Sequence, residues 1–112
     1  MKITCHCGAL VRDQTDNLPH KGHLIPDQEW FPVYDAIDVV IDDAVAGRLD
    51  AEAASMKIRS ILGTAARHVY QCRECGRLFV DDRQHQLHTF APASADTGRE
   101  ILRSRDGDDQ DA

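Results

Sequence analysis

The chain has 112 residues, of which 42% are apolar and 29% are charged, with 19 acids against 13 lysines and arginines and a formal net charge of −6. These values are typical of one soluble globular domain, and the negative charge weighs against a function that depends on binding nucleic acid. No apolar run approaches the ~20 residues of a membrane span, and no secretory signal is evident, so we expect a cytoplasmic protein without a membrane partner.

The first predicted element is a β-hairpin. Met1–Thr4 leads into Cys5-His6-Cys7-Gly8, and Ala9–Val11 leads out of it. A glycine directly after the second cysteine tolerates the positive φ of a sharp reversal. The pattern predicts a hairpin whose tip carries two thiols. Residues 13–26 are then predicted to be irregular, apart from a short extended piece at Lys21–Ile25.

The next element is a helix, predicted over residues 33–46 and ended by Gly47. Pro32 leaves two alternatives, because a proline beyond the first turn removes a hydrogen bond: either one turn at 27–31 precedes a new helix, or Pro32 lies near the first position of the only helix. Asp27 is the predicted N-cap. Trp30 and Phe31 are expected to anchor the entering chain in the core, with an interface as the alternative. The predicted buried stripe consists of Val33, Ile37, Val40, Ile41, Ala44 and Val45.

Four acids form a column on the polar side of this helix. Asp35, Asp38 and Asp42 recur at spacings of three and four, and Asp43 lies beside them. Like charges at this spacing repel and destabilise a helix by a few tenths of a kcal/mol per pair. The column is therefore either a solvated face or a partner-binding site.

A second helix is predicted to begin after Asp50, which would cap it, and to pack as an antiparallel hairpin on the first. The two helices form an insertion at about residues 27–66. Its predicted buried stripe consists of Ala54, Ile58, Ile61, Leu62 and Ala65.

The last third of the domain is predicted to be β-structure. Val69–Gln71 enters a second cysteine cluster, Leu78–Val80 leaves it, and Leu87–Phe90 returns as a third strand. Residues 1–92 form the predicted domain, and residues 93–112 a flexible acidic tail in which Ile101-Leu102 could dock as a short turn.

The four cysteines predict one structural Zn²⁺ site, because two short clusters can each supply two thiolates to a tetrahedral ion. The ligands would be Cys5, Cys7, Cys72 and Cys75. Disulfides, an iron–sulfur cluster, a redox-active pair in the second cluster and ligation by a histidine are the alternatives. With four thiolates present, no histidine is needed.

Each cluster is followed by a similar phrase, Cys7-Gly8-Ala9-Leu10-Val11 in the first copy and Cys75-Gly76-Arg77-Leu78-Phe79 in the second. Two such knuckles that lead into strands resemble the zinc-ribbon family over roughly residues 1–12 and 68–90. The chain also looks like small uncharacterised bacterial zinc-ribbon proteins. The first knuckle departs from the family pattern, because one residue separates its cysteines instead of two. The resemblance implies an α+β protein: a three-stranded antiparallel ribbon with a four-cysteine zinc site and an inserted helical hairpin.

The predicted function is a protein-interaction module, and no catalytic residue is identified, because four thiolates would leave a zinc ion no open coordination position. In size and charge the chain resembles immunity or antitoxin proteins that inhibit a basic partner. The alternative is a nucleic-acid-binding zinc-ribbon regulator whose contact patch consists of Arg59, Arg67, Arg73 and Arg77.

Overall fold

The computed structural model describes residues 1–105 and shows an α+β protein with two helices and antiparallel sheets. Its elements, in chain order, are β1 (Lys2–Thr4), β2 (Leu10–Arg12), β3 (Lys21–Leu24), α1 (Asp27–Val45), α2 (Ala51–Ala65), β4 (Arg67–Gln71), β5 (Leu78–Asp81) and β6 (Leu87–Phe90). The chain divides into two compact units: a sheet unit, formed by Met1–His23 and the chain from His68, and a helical unit, Leu24–Arg67.

The sheet unit contains two sheets. β1 and β2 form the predicted hairpin, in which Ile3 pairs with Val11. The second sheet has the order β3-β4-β5-β6, so the prediction of three strands is corrected to four. The added strand β3 lacks a regular apolar alternation, which is why its sequence is a weak strand signal. Main-chain groups alone suffice to extend the ladder, and at its start the N–H of Gln71 donates to the carbonyl of His20 over 2.9 Å.

The core of the sheet unit is built around the cysteines. Its buried members are Cys5, Val11, Tyr70, Cys72 and Phe79, with Ile3, Ala9, Cys75 and Leu87 packed on them. This core joins the β1–β2 hairpin to strands β4 and β5. Few large side chains contribute to it, as is typical of small domains that depend on a further constraint for their stability.

Gln71 attaches part of the segment for which a flexible tail is predicted. Its side chain is 1% exposed and donates to the carbonyls of Gly76 (3.2 Å) and Gly98 (2.9 Å), and it accepts from the N–H of Ile101 (2.9 Å). All of these groups are satisfied, so the buried amide is stable. The side chain of Leu102 lies against Gly22. Residues 106–112 of the predicted tail lie outside the described residues.

Helix α1 begins at Asp27 and runs without a break through Pro32, so both alternatives from the sequence are wrong. Pro26, with extended backbone, occupies the N-cap position that we assigned to Asp27. The proline ring removes only the bond to the carbonyl of Gln28 in the second turn, and the acids of the first turn, Asp27 and Glu29, suit the positive end of the helix dipole.

The two helices are joined by a well-defined turn. Gly47 has a φ of 81°, its N–H donates to the carbonyl of Ala44 (3.1 Å), and the N–H of Arg48 donates to that of Asp43 (2.9 Å). These two bonds are the Schellman pattern, which confirms Gly47 as the stop signal. Asp50 caps α2 as predicted, because its carboxylate accepts from the N–H of Ala53 at 2.8 Å.

The helices pack on each other over a narrower stripe than predicted. Val33 and Val40 of α1 are buried, whereas Ile41 and Val45 are 47% and 84% exposed. Phe31 is 71% exposed and does not anchor the core. A single partner helix covers only one side of α1, which leaves the neighbouring apolar positions in solvent. Neither described helix is long and apolar enough to cross a membrane.

Candidate metal centre

The first knuckle is a tight turn at the tip of the β1–β2 hairpin. The N–H of Gly8 donates to the carbonyl of Cys5 and the N–H of Cys5 donates to that of Ala9, both at 2.9 Å. Gly8 has a φ of 93°, a conformation that favours glycine. The turn places the two cysteines of the knuckle, Cys5 and Cys7, on the same side of the hairpin tip as the second knuckle.

The second knuckle joins β4 to β5 in the same way. The N–H of Gly76 donates to the carbonyl of Cys72 (2.7 Å), and the N–H of Cys72 donates to that of Arg77 (2.9 Å). Gly76 has a φ of 86°, so both glycines that the sequence singles out adopt the conformation expected of them. The two knuckles are thus alike in their turn geometry although one has one residue and the other two between the cysteines.

The structure brings the four sulfur atoms together, all within 4.8 Å of one another. Cys5 Sγ lies 3.4 Å from Cys75 Sγ, and Cys7 Sγ lies 3.6 Å from Cys72 Sγ. A tetrahedral ion with metal–sulfur bonds of about 2.3 Å separates its ligands by about 3.8 Å. The arrangement is therefore compatible with a single four-coordinate metal ion if the separations between the sulfurs adjust by up to about 1 Å.

The sulfur geometry also bears on the alternatives. All four cysteines are free, so none is consumed by a disulfide. An iron–sulfur cluster would place several irons and sulfides between the thiolates, and sulfurs this close leave room for one ion only. Within residues 1–105 no other group of three or more His, Cys, Asp and Glu side chains brings its ligand atoms as close together, and no histidine is part of the group of four cysteines.

The environment of the sulfurs is uneven. Cys5 and Cys72 are 3% and 1% exposed, and Cys7 is exposed. Burial raises the pKa of Cys5, and it raises the pKa of Cys72 to about 12. Burial alone would also raise the pKa of Cys75, but hydrogen bonds from the backbone and guanidinium of Arg77, together with those from Cys5 and Cys7, lower that pKa to about 6. A bound dication would favour the thiolate form of all four.

Arg77 is a part of the site that the sequence does not reveal. One of its guanidinium nitrogens donates to Cys75 Sγ over 3.2 Å. A cation next to four thiolates offsets part of their charge, and donors to the sulfurs orient the ligands of a metal. The position of Arg77 two residues after a cysteine is a possible signal of this contact. From the sequence, Arg77 is assigned only to the predicted basic patch.

A second network that the sequence does not reveal fixes the hairpin to the larger sheet. The hydroxyl of Tyr70 donates to Asp13 Oδ2 over 2.6 Å, and Lys21 Nζ donates to the same oxygen over 2.9 Å. His68 Nδ1 lies 3.3 Å from the same hydroxyl. The bonds from Tyr70 and Lys21 lower the pKa of Asp13, and burial and this carboxylate raise the pKa of Tyr70. The network tethers the chain just after β2 to β4.

The other predicted site residues are distributed over both units. The acids Asp35, Asp38 and Asp42 are exposed on α1, and Asp43 is half-buried and paired with Arg48 at 2.9 Å. The residues of the predicted basic patch are divided between the helical unit, with Arg59 and Arg67, and the sheet unit, with Arg73 and Arg77.

Comparison with known proteins gives one match. A family model described as a domain of unknown function (DUF8617) matches residues 1–95. No curated protein and no solved structure matches the chain.

Proposed function

Because the chain belongs to the DUF8617 family, a domain of unknown function, we propose a function from its own residues: a small metal-stabilised protein-interaction module that binds a basic protein partner. In this proposal the metal is one structural Zn²⁺, and the sheet unit is a zinc ribbon. Four thiolates would fill the tetrahedron and leave no position for water or substrate, so the ion supplies stability and no chemistry.

One observation carries the proposal. Helix α1 contains six acids and no base among its 19 residues: Asp27, Glu29, Asp35, Asp38, Asp42 and Asp43. Among the described residues, Asp43 is the one member of the acidic column with an ion pair, so the three exposed acids keep their charge available. Uncompensated charge on one face weakens the helix and attracts a partner of opposite sign.

The charge of the metal-loaded protein strengthens this attraction. Binding Zn²⁺ through four thiolates adds four negative and two positive charges, which changes the formal net charge from −6 to about −8. A small acidic protein of this kind would meet a basic partner quickly, because complementary charge raises association rates. We propose an inhibitor of the immunity or antitoxin type, whose partner carries a cationic surface such as that of a nuclease.

The proposal is tested by affinity capture from the host with two variants of equal charge change. One carries Asp35→Asn, Asp38→Asn and Asp42→Asn. The matched control carries Asp16→Asn and Asp96→Asn, at exposed acids outside the helical unit, and Glu74→Gln. We expect one basic host protein to be recovered by the wild type and the control and to be lost from the α1 variant.

Recovery of the same proteins by both variants would show that the acidic column is solvated surface. Nucleic-acid binding, the alternative from the sequence, stays a prediction with a separate signature: retention of mixed DNA or RNA at about 50 mM salt that falls steeply as salt rises. Two residues of its patch already have partners, because Arg77 binds Cys75 and Arg67 lies 4.0 Å from Glu29.

A further inference from the structure

Helix α1 presents a row of large apolar side chains to solvent. The row, here named the apolar stripe, consists of Trp30 (42% exposed), Tyr34 (49%), Ile41 (47%) and Val45 (84%). The rings of Trp30 and Tyr34 contact each other edge to face, with centroids 5.3 Å apart. Single exposed apolar residues are common on protein surfaces, whereas four on one helix face are typical of an interaction site.

The four residues share one face because their spacings are four, seven and four, which return to the same side of a helix with 3.6 residues per turn. Val39 provides the contrast. It is 59% exposed but lies two residues from Ile41, on the other side of α1. The stripe is therefore a defined surface within a helix that has exposed apolar residues elsewhere.

The charges beside the stripe decide what can cover it. Asp38 lies in line with the stripe, between Tyr34 and Ile41, and Asp35 and Asp42 run along one side. Lysine, arginine and histidine are all absent from α1. A second copy of this face, related by twofold symmetry, would place acids against acids with no base to separate them. A covering surface must combine apolar side chains with positive charge.

We propose that the apolar stripe is the docking site for a cationic amphipathic helix of a partner protein, which would complete a three-helix arrangement with α1 and α2. This inference rests on the proposed function and deepens it, because it names the face and the chemistry of the partner. Apolar residues of the partner, recurring every three or four positions, contact Trp30, Tyr34, Ile41 and Val45. Its lysines or arginines lie beside Asp35, Asp38 and Asp42.

The stripe contains its own reporter. Trp30 is the single tryptophan of the chain, so its fluorescence reports on this surface alone. The probe is a synthetic helical peptide of the length of α1, 19 residues, with leucines on one face and lysines on the other. A peptide of the same composition with a scrambled order keeps the charge and loses the apolar face.

We expect the amphipathic peptide to shift Trp30 emission to shorter wavelength with 1:1 stoichiometry, and the scrambled peptide to bind at least about tenfold more weakly. Val45→Ser should weaken binding by about tenfold, because burial of a branched aliphatic side chain contributes about that factor. The matched control is Val39→Ser, which makes the same replacement on the same helix and should change affinity by less than about twofold. Both positions are exposed, so both variants should fold.

Equal effects of Val39→Ser and Val45→Ser, or equal binding of the two peptides, would overturn the proposal, because binding would then follow charge alone. The oligomeric state of the free protein is measured by sedimentation, and a dimer that Val45→Ser dissociates and Val39→Ser does not would assign the stripe to a second copy. The two proposals fail separately. If host capture depends on the aspartates but not on Val45, only the proposal about the apolar stripe is refuted. If the peptide binds at the stripe but no host partner depends on the aspartates, the proposed function is refuted.

Discussion

Replacing Cys72 by serine tests the metal centre most directly. The cysteine is 1% exposed, lies at the second knuckle and belongs to the core of the sheet unit. Structural zinc sites in small peptides bind with about 10–16 kcal/mol, so one of four thiolates represents about 2.5–4 kcal/mol. A serine hydroxyl buried without a partner adds a further cost of about 1–3 kcal/mol.

The sum, about 3.5–7 kcal/mol, is a large part of the roughly 5–15 kcal/mol that stabilises a typical domain. At about 4 °C per kcal/mol, we expect Cys72→Ser to lower the Tm by at least about 14 °C. The assay is differential scanning calorimetry of the reduced protein, with metal content measured by elemental analysis on the same samples. Wild type should contain one zinc per chain and the variant markedly less.

Cys7→Ser is the matched control, because it removes an exposed sulfur of the same site. The serine hydroxyl at position 7 stays hydrated. We therefore expect Cys7→Ser to lower the free energy of unfolding by about 1–3 kcal/mol less than Cys72→Ser does. A Tm for Cys72→Ser within about 2 °C of the wild type would refute a structural metal. A loss for Cys7→Ser as large as that for Cys72→Ser would refute the argument from burial.

Three further predictions concern single contacts. Arg77→Gln should lower zinc affinity about 10–100-fold in competition with a chromophoric chelator, because its guanidinium binds a ligand sulfur, whereas Arg73→Gln at an exposed neighbouring site should not. Asp50→Ala should destabilise the protein to urea by about 1 kcal/mol through loss of the α2 cap, and equal stability would contradict that role. The pKa of Asp82 is lowered from 3.8 to about 2, and its hydrogen bond with His88 is the largest cause. The ionised carboxylate should therefore stabilise the folded protein fully above about pH 4, and this stabilisation should be lost as the pH falls towards 2. Asp82→Asn should flatten the dependence of Tm on pH in that window, and an unchanged profile would contradict the assignment.

The clustering of the four cysteines was predictable because it depends on few residues. Two cysteine pairs, each followed by a glycine that needs a positive φ, define the candidate ligands and the turns together. The contact between Arg77 and Cys75 was not predictable in the same way, since an arginine beside a cysteine occurs without contact in many chains. The side-chain direction that joins them is set by the fold of the knuckle.

Elements that have local signals were predicted more completely than those that depend on distant contacts. Gly47 and Asp50 act within one turn of the chain, and both have the predicted roles. A short extended piece was predicted at Lys21–Ile25, but its place as strand β3 of the larger sheet was not, because β4 supplies its hydrogen-bonding partners from more than forty residues away.

Helix α1 shows the limit of periodicity. The spacing of Ile41 and Val45 matches that of Val40, so a helical pattern alone assigns all three to one buried stripe. The number of apolar positions that become buried depends on how much of α1 is covered by α2. Ile41 and Val45 remain exposed, so α2 does not cover them. Pro32 was misjudged for a related reason, because a single lost hydrogen bond is outweighed by the packing of a 19-residue helix.

The position of the helical unit in the chain has a consequence for engineering and for evolution. β3 and β4 are hydrogen-bonded neighbours, and the N–H of Gln71 at the end of β4 donates to the carbonyl of His20, the residue before β3. The segment of residues 25–66, which contains both helices, separates these two neighbouring strands in the sequence. An Asn-Gly turn in its place would leave a miniature of roughly 70 residues that retains all four sulfurs. The surface proposed for partner binding and the four cysteines therefore lie on different units of one chain, and deletion of the helical unit would remove the first without removing the second.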